Sequence, residues 1–237
     1  MMNIPMTDIH THILPFVDDG SDSIADSLRM VGEAMANGVK NIILTPHALR
    51  TGMPKFTKED HCRHFSEFQT EARKHFDVNL YLGQEIAYHP QIIKYLQDNK
   101  LLTLNDSSYI LLELPFFDPI EDYEELFYSF SVLKYNVIIA HIERYYYLSY
   151  GDIVSLKRYP VLYQINSNSL TGESGRYLRK RSMKMLKDGL VDFIGSDIHV
   201  SRKNDFLLAY QMVARYLSVA DADRIFVENP KRHLNVA

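Results

Sequence analysis

Short runs of apolar and β-branched residues recur along the chain, at Asn41 to Thr45, Val78 to Leu82, Tyr109 to Leu114, Asn136 to Ala140, Val161 to Ile165 and Val191 to Ile194. Most are separated by longer segments with helical spacing. In the clearest, Ser23 to Gly38, the side chains of Ile24, Leu28, Val31 and Met35 share one face, and Gly38 can end the helix. Lys58 to His75, Ile120 to Lys134, Arg176 to Lys187 and Asp205 to Leu217 are read as helices in the same way. Strands alternating with helices predict a parallel sheet. The strands read as continuous apolar runs (IIL, YILLEL, VIIA), the pattern of strands covered on both faces. About seven such units without an intervening linker favour a sheet closed into a barrel.

Composition narrows the class. A chain of 237 residues, 46% hydrophobic and 24% charged, can build one large core, so residues 1–237 are expected to form a single domain. The net charge of −4 gives no basic excess for nucleic acid. No apolar run approaches the roughly 18 residues of a membrane span, and MMNIPMTDIH lacks the basic and apolar segments of a signal peptide. The single cysteine, Cys62, forms no internal disulfide, which fits a reducing, cytoplasmic setting.

The distribution of histidine and acid changes the picture most. Nearly every strand ends in a residue able to bind a metal: His10 and His12 in DIHTH, His47 in TPH, Glu85 in LGQE, Glu113 in LLELP, His141 in IAHIER, Asp197 and His199 in GSDIH. In α/β barrels the strand C-termini share one face, where active sites lie. His-x-His on an extended segment points both rings to one side. Asp18-Asp19-Gly20 adds a carboxylate on a turn, from Asp19 or Asp18. Nine donors exceed the needs of one ion, so two or three ions are expected. Imidazole and carboxylate without thiolate suit Mn, Fe or Zn. Three divalent ions against four carboxylates leave about +2, which suits phosphate binding and metal-assisted phosphoester hydrolysis.

The segments DIHTHILPFVDDG, TPH, LGQEI, LLELP, IAHIERY, INSNSLTG, GSDIH and ENP, in this order, resemble the polymerase and histidinol phosphatase (PHP) superfamily, and within it the CpsB/YwqE type of metal-dependent tyrosine-protein phosphatase. The resemblance runs from about Thr7 to Pro230. It implies a distorted (β/α)7 TIM-like barrel with three divalent ions, usually manganese. It implies one site from His10, His12, Glu85 and Asp197, a second from Glu85, Glu113 and His141, and a third from Asp19, His47 and His199. Glu85 would bridge two ions, and Arg144 of IAHIERY would bind the phosphate. Arg202 is a further phosphate-binding candidate, in a loop that looks shorter than the family's. The implied substrate is the phosphotyrosine tail of a bacterial tyrosine kinase that controls capsule or exopolysaccharide synthesis.

Other readings separate on particular residues. A small phosphomonoester such as histidinol phosphate would use the same ions; the uninserted chain favours the protein phosphatase. An amidohydrolase-type barrel would carry a bridging lysine where Glu85 and Glu113 stand, and a non-catalytic module regulating a polysaccharide-assembly kinase would lack ligands. His61, His64 and His75 are expected at the surface, His89 and His233 away from the ions, and the basic helix 176–187 as solvated surface or a dock for an acidic tail. Tyr145, Tyr146 and Tyr147 either flank a substrate ring or pack the barrel. A cysteine-based phosphatase needs an arginine six positions beyond its nucleophile, where this chain has Phe68. Cys62→Ser is therefore expected to keep full phosphomonoester turnover, measured as released phosphate; trapping of a phosphorylated cysteine would reverse that assignment.

Overall fold

Alternation along the strands sorts the apolar residues onto the two faces of a curled, all-parallel sheet. The computed structural model describes residues 4–53 and 55–237; the start of the segment read above for a leader lies outside them. Strands β1 (Met6–Thr11), β2 (Val39–Leu44), β3 (His47–Ala48), β4 (Asn79–Leu82), β5 (Glu85–Ala87), β6 (Tyr109–Glu113), β7 (Asn136–Ile139), β8 (Val161–Asn166) and β9 (Phe193–Gly195) form two ladders, β1-β2-β4 and β3-β5-β6-β7-β8-β9. Ile42, Ile110, Leu112, Val137 and Ile139 point to the helix-covered face and join the main core. Their neighbours Ile43, Leu111 and Ile138 meet Ile9, Phe193, Leu234 and Val236 in a second cluster on the concave side.

The ladders are two halves of one run of strands. Leu44 pairs with Leu82 and His47 with Glu85, so the register offset is the same across both breaks. At the first break Pro46 has no N–H to give the ladder, yet its carbonyl accepts from Glu85 N at 3.1 Å, and Leu44 O accepts from Gly83 N at 2.9 Å. The far ends also meet: Asp197 N donates to His10 O at 2.8 Å and His12 N to Ile198 O at 3.1 Å, joining the chain after β9 to β1. On β1 the four residues from Asp8 to Thr11 stand opposite the three from Ile42 to Leu44 on β2. A bulge of this kind re-aims side chains, and it turns the HxH segment toward the concave side.

Helices α1 (Ile24–Ala36), α2 (Lys58–Ala72), α3 (Ile92–Gln97), α4 (Tyr123–Val132), α5 (Tyr150–Leu156), α6 (Ser167–Thr171), α7 (Arg176–Lys187), α8 (Phe206–Tyr216), α9 (Val219–Asp223) and α10 (Asn229–His233) complete the fold. Ser23 and Asp122 cap α1 and α4, and Thr57 with Asp60 and Ser149 with Asp152 form capping boxes on α2 and α5. The long helices fall where their apolar spacing predicts, with α2 and α4 shorter than the pattern. The short ones, such as α3, α6 and α9, span too few turns for periodicity to reveal them.

His61 departs from expectation. It lies on the inner side of α2 and is buried, whereas His75 is exposed. The apolar face of α2 is mixed with charge, so the pattern does not tell an inward histidine from an outward one. Gln84 Nε2 donates to His61 Nδ1 at 2.7 Å, and Gln84 Oε1 accepts from Leu102 N, so His61 pins the break between β4 and β5 to α2. Burial pushes its pKa down to about 4. The unfolded chain protonates this ring near pH 6.5 and the folded protein only near pH 4, so its contribution is full above 6.5 and lost as pH falls toward 4. The loss is about 3 kcal/mol. In urea unfolding at pH 7.5 and 4.5, His61→Leu is expected to flatten the acid loss of stability by roughly that amount; an unchanged pH slope would contradict it.

Candidate metal centre

Eight of the nine candidate ligands lie at or just past strand ends and are buried; Asp19, from an exposed turn, joins them at the rim of one cluster. Glu85, at the start of β5, is its middle. Its Oε2 lies 2.8 Å from His47 Nδ1 and 3.4 Å from both His10 Nε2 and His12 Nε2, while Oε1 lies 2.7 Å from His141 Nε2. Asp197, just past β9, brings Oδ1 to 3.8 Å from His10 Nε2 and 3.4 Å from His12 Nε2. Glu113 Oε1 is 3.8 Å from His141 Nε2. Asp19 Oδ1 reaches His47 Nε2 at 3.5 Å and His199 Nε2 at 3.4 Å. Three groups of donors lie close enough to share an ion: His12, Asp19, His47 and His199; His10, His12 and Glu85; and His47, Glu85 and Glu113. His12 and His47 thus each reach two of these groups, a wider sharing than the sequence suggests.

The backbone must come close for this to happen. A side chain on Gly195 would meet His10 Cβ at 2.7 Å, and one on Gly20 would meet His12 O at 2.0 Å. Only glycine lets β9 lie against His10 and the Asp18–Asp19 turn lie against His12. Asp197 and His141 both adopt left-handed backbone, with φ of 50° and 32°, a conformation uncommon outside glycine that recurs at functional sites.

Partners behind the cluster select which ring nitrogen faces it. Asp18 Oδ2 accepts from His12 Nδ1 at 2.7 Å and also from His47 N at 3.1 Å. Asp18 is therefore turned to the back of His12, and Asp19 is the carboxylate turned toward the cluster. Gln164 Oε1 accepts from His141 N at 2.8 Å and lies 3.2 Å from His10 Nδ1. His199 Nδ1 lies 3.0 Å from Asp197 O. Such contacts fix the tautomer and leave Nε2 as the ligand atom. The donor set and its supports fit divalent cations.

Electrostatics points the same way. Burial opposes charge on Glu85 and Asp197, yet the surrounding histidines, joined at Asp197 by Arg202, hold both carboxyls well below the usual range. Despite burial, Glu85 and Asp197 raise the pKa of His10, and Asp18 raises that of His12. Burial and the neighbouring charge of Glu85 push Glu113 up to about 8, and burial takes His141 down to about 4. Cation binding would compete with protons on His10, His12 and Glu113, since imidazole and carboxylate ligate in their deprotonated forms.

Arg144 and Arg202 sit at the mouth: Arg144 Nη1 donates to Asp197 Oδ2 at 3.1 Å, and Arg202 Nη1 donates to the Asp197 backbone carbonyl at 2.6 Å and lies 2.8 Å from Oδ2. Arg50 was not anticipated. Its Nη1 contacts His47 Nε2 and lies 3.8 Å from Glu113 Oε1. Gln164 and Asn166 were also missed as supports, although they stand on alternate positions of β8; Asn166 Nδ2 donates to Asp197 Oδ2 at 2.7 Å. Of the three tyrosines after Arg144, Tyr145 is buried and accepts from Leu114 N, Tyr147 is half-buried, and Tyr146 is exposed. His89 Nδ1 accepts from Gln91 N, and His233 accepts from the Tyr109 hydroxyl or donates to it, both outside the cluster. Cys62 is exposed on α2. Arg181, within the basic run, is buried and donates to Tyr145 O and Leu148 O.

A curled parallel sheet with a histidine and carboxylate cluster at its strand ends is similar in fold to the metal-dependent hydrolase barrels. A variant organophosphorus hydrolase covers 98% of this chain and 93% of its own with a TM-score of 0.63, at 11% identity, a likeness of fold alone. The family described as "Capsular polysaccharide synthesis, CpsB/CapC" matches residues 6–235, and this chain belongs to it. Tyrosine-protein phosphatase YwqE of Bacillus subtilis is 34% identical over 85% of this chain and 80% of its own length. A solved structure from the pair YwqE of Bacillus subtilis and CpsB of Streptococcus pneumoniae, described as unique metal-dependent tyrosine phosphatases, matches with a TM-score of 0.90 at 30% identity, covering 97% of this chain and 94% of its own.

Because Glu85 touches four imidazoles, Glu85→Ala is expected to lose more bound metal than His47→Ala. Elemental analysis of both variants checks this, and equal loss would remove Glu85 from a shared position.

Proposed function

We propose that this protein is a metal-dependent protein-tyrosine phosphatase that hydrolyses phosphotyrosine on a bacterial tyrosine kinase controlling capsular or exopolysaccharide synthesis, in the cytoplasm. The observation that carries this reading is two arginines at the mouth of a buried imidazole and carboxylate cluster, in a chain of the CpsB/CapC family. The seven strand positions, with β2 continuing into β3 and β4 into β5, support a (β/α)7 barrel of the PHP type formed by residues 1–237 as one domain.

Three divalent ions, manganese first and iron or zinc as substitutes, would be held by His10, His12, Glu85 and Asp197; by Glu85, Glu113 and His141; and by Asp19, His47 and His199. When bound, such ions supply Lewis acidity to a phosphoryl oxygen and an activated water near neutral pH. Arg144 and Arg202 are always charged and present planar pairs of N–H donors, which match the phosphoryl oxygens. Asp197 accepts from both, at Oδ2 from Arg144 and at its backbone carbonyl from Arg202. A phosphoryl group entering the mouth competes for those donors and is oriented by them. Asn166 keeps a hydrogen bond to Asp197 Oδ2, so the carboxylate stays in place as the arginines turn to substrate. Hydrolysis consumes water and releases inorganic phosphate and the tyrosine hydroxyl, with no covalent enzyme intermediate.

The test is turnover of a phosphotyrosine peptide and of histidinol phosphate, with metal analysis of the same sample. The peptide is the expected substrate, and preference for histidinol phosphate would replace this reading. Arg144→Lys is expected to lower peptide turnover about tenfold or more at unchanged metal content. Full activity in that variant would remove Arg144 from phosphate binding.

A further inference from the structure

The cluster itself leaves a cavity of about 40 Å³, enough for a water or a phosphoryl oxygen and far too small for an aromatic ring. A phosphotyrosyl side chain must therefore rest its ring outside. Two larger cavities adjoin. One, of about 590 Å³, shares His47 and Arg50 with the cluster. Arg50 stands between them, in contact with His47 Nε2 and 3.8 Å from Glu113. The other, of about 260 Å³, shares Phe116, Arg144 and Arg202 with the cluster and extends to Tyr146 and Leu178. It thus opens straight from the two arginines that face the cluster.

Its walls have the chemistry a ring requires. Phe116 is half-buried, stacks on His141 with ring centroids 5.6 Å apart, and carries the Arg144 guanidinium 5.1 Å from its own centroid. Tyr146 is 64% exposed and stacks on Tyr177, itself 56% exposed, with ring centroids 5.4 Å apart. Neither tyrosine is buried, so core packing does not account for the pair. The stack instead holds Tyr146 at a fixed place on the groove's edge. Cationic donors at the floor and aromatic faces along the sides complement an aryl phosphate dianion at both of its ends.

We propose that this groove seats the aromatic ring of the substrate, and that Phe116 and Tyr146 set a preference for aryl over alkyl phosphates. The proposal rests on the phosphatase reading above and goes beyond it by naming what confers specificity. Arg144 and Arg202 hold the phosphoryl group, while Phe116 and Tyr146 select what it is attached to. Tyr177 is a positioning residue that acts through Tyr146.

Calorimetric titration of the metal-loaded protein with phenylphosphonate and methylphosphonate isolates the ring, since both ligands carry the same anionic head. Wild type is expected to bind the phenyl compound roughly tenfold more tightly. Tyr146→Ala and Phe116→Ala are each expected to reduce that ratio about three- to tenfold, with metal content unchanged, and Tyr146→Phe to restore it. Equal binding of the two ligands by wild type, or an undiminished ratio in both alanine variants, would overturn the proposal. So would loss of the ratio in Tyr95→Ala, in the larger cavity, with the ratio kept in Tyr146→Ala. Failure of the phosphatase reading is read separately, as absent turnover of phosphotyrosine peptide by wild type; the ring preference is measured whether or not turnover occurs.

Discussion

The structure turns on one buried carboxylate. Glu85 is almost inaccessible to solvent and lies within 3.4 Å of ring nitrogens from four histidines, which arrive on and just after β1, at β3 and after β7. A buried charge of this kind is costly unless it is paired and hydrogen-bonded. Here the pairing partners come from distant parts of the sequence, so the charge is satisfied only when the sheet has curled enough to bring them together. The closing contacts between Asp197 and His10, and the side-chain-free surfaces of Gly195 and Gly20, allow that approach. The apolar cluster beneath, built from Ile9, Ile43, Leu111 and Ile138, fills the same concave side and holds the polar layer at the strand ends.

The supporting residues divide the work of the site. Asp18 and Gln164 lie behind His12 and His10 and aim them; Asn166 does the same for Asp197. Such partners raise ligand basicity and hold geometry before an ion arrives. The arginines act on the opposite side of the same carboxylate. Asp197 thus spans the two sides of the site, because the oxygen that faces the imidazoles and the oxygen that faces the arginines belong to one carboxyl group.

Much of this was legible in the sequence because parallel strands carry their functional residues at one end. The positions of His10, His12, Glu85, Glu113, His141 and Asp197 after apolar runs predict convergence once the sheet is parallel. What the pattern does not carry is tertiary in origin. Asp18 and Asp19 are identical in chemistry and adjacent; only the bond to His12 Nδ1 tells them apart. His61 sits in a helix whose charged residues mask its inner face, and its burial depends on Gln84 across the strand break. The division of β2 from β3 follows from Pro46, but the unbroken register with β4 and β5 depends on hydrogen bonds that a single strand cannot reveal. Arg50 lies three residues past His47 in a loop, where nothing in the spacing points it back at the cluster.

The central claim is that this cluster is a cation cage and that its buried charge is balanced by metal. Anomalous diffraction at the manganese edge, from crystals grown with Mn2+, tests it most directly. The account predicts anomalous density between the side chains of His10, His12, Glu85 and Asp197, with further density toward Glu113 and toward Asp19. An ordered cluster with no anomalous density among these residues, in crystals that show manganese elsewhere, would contradict it.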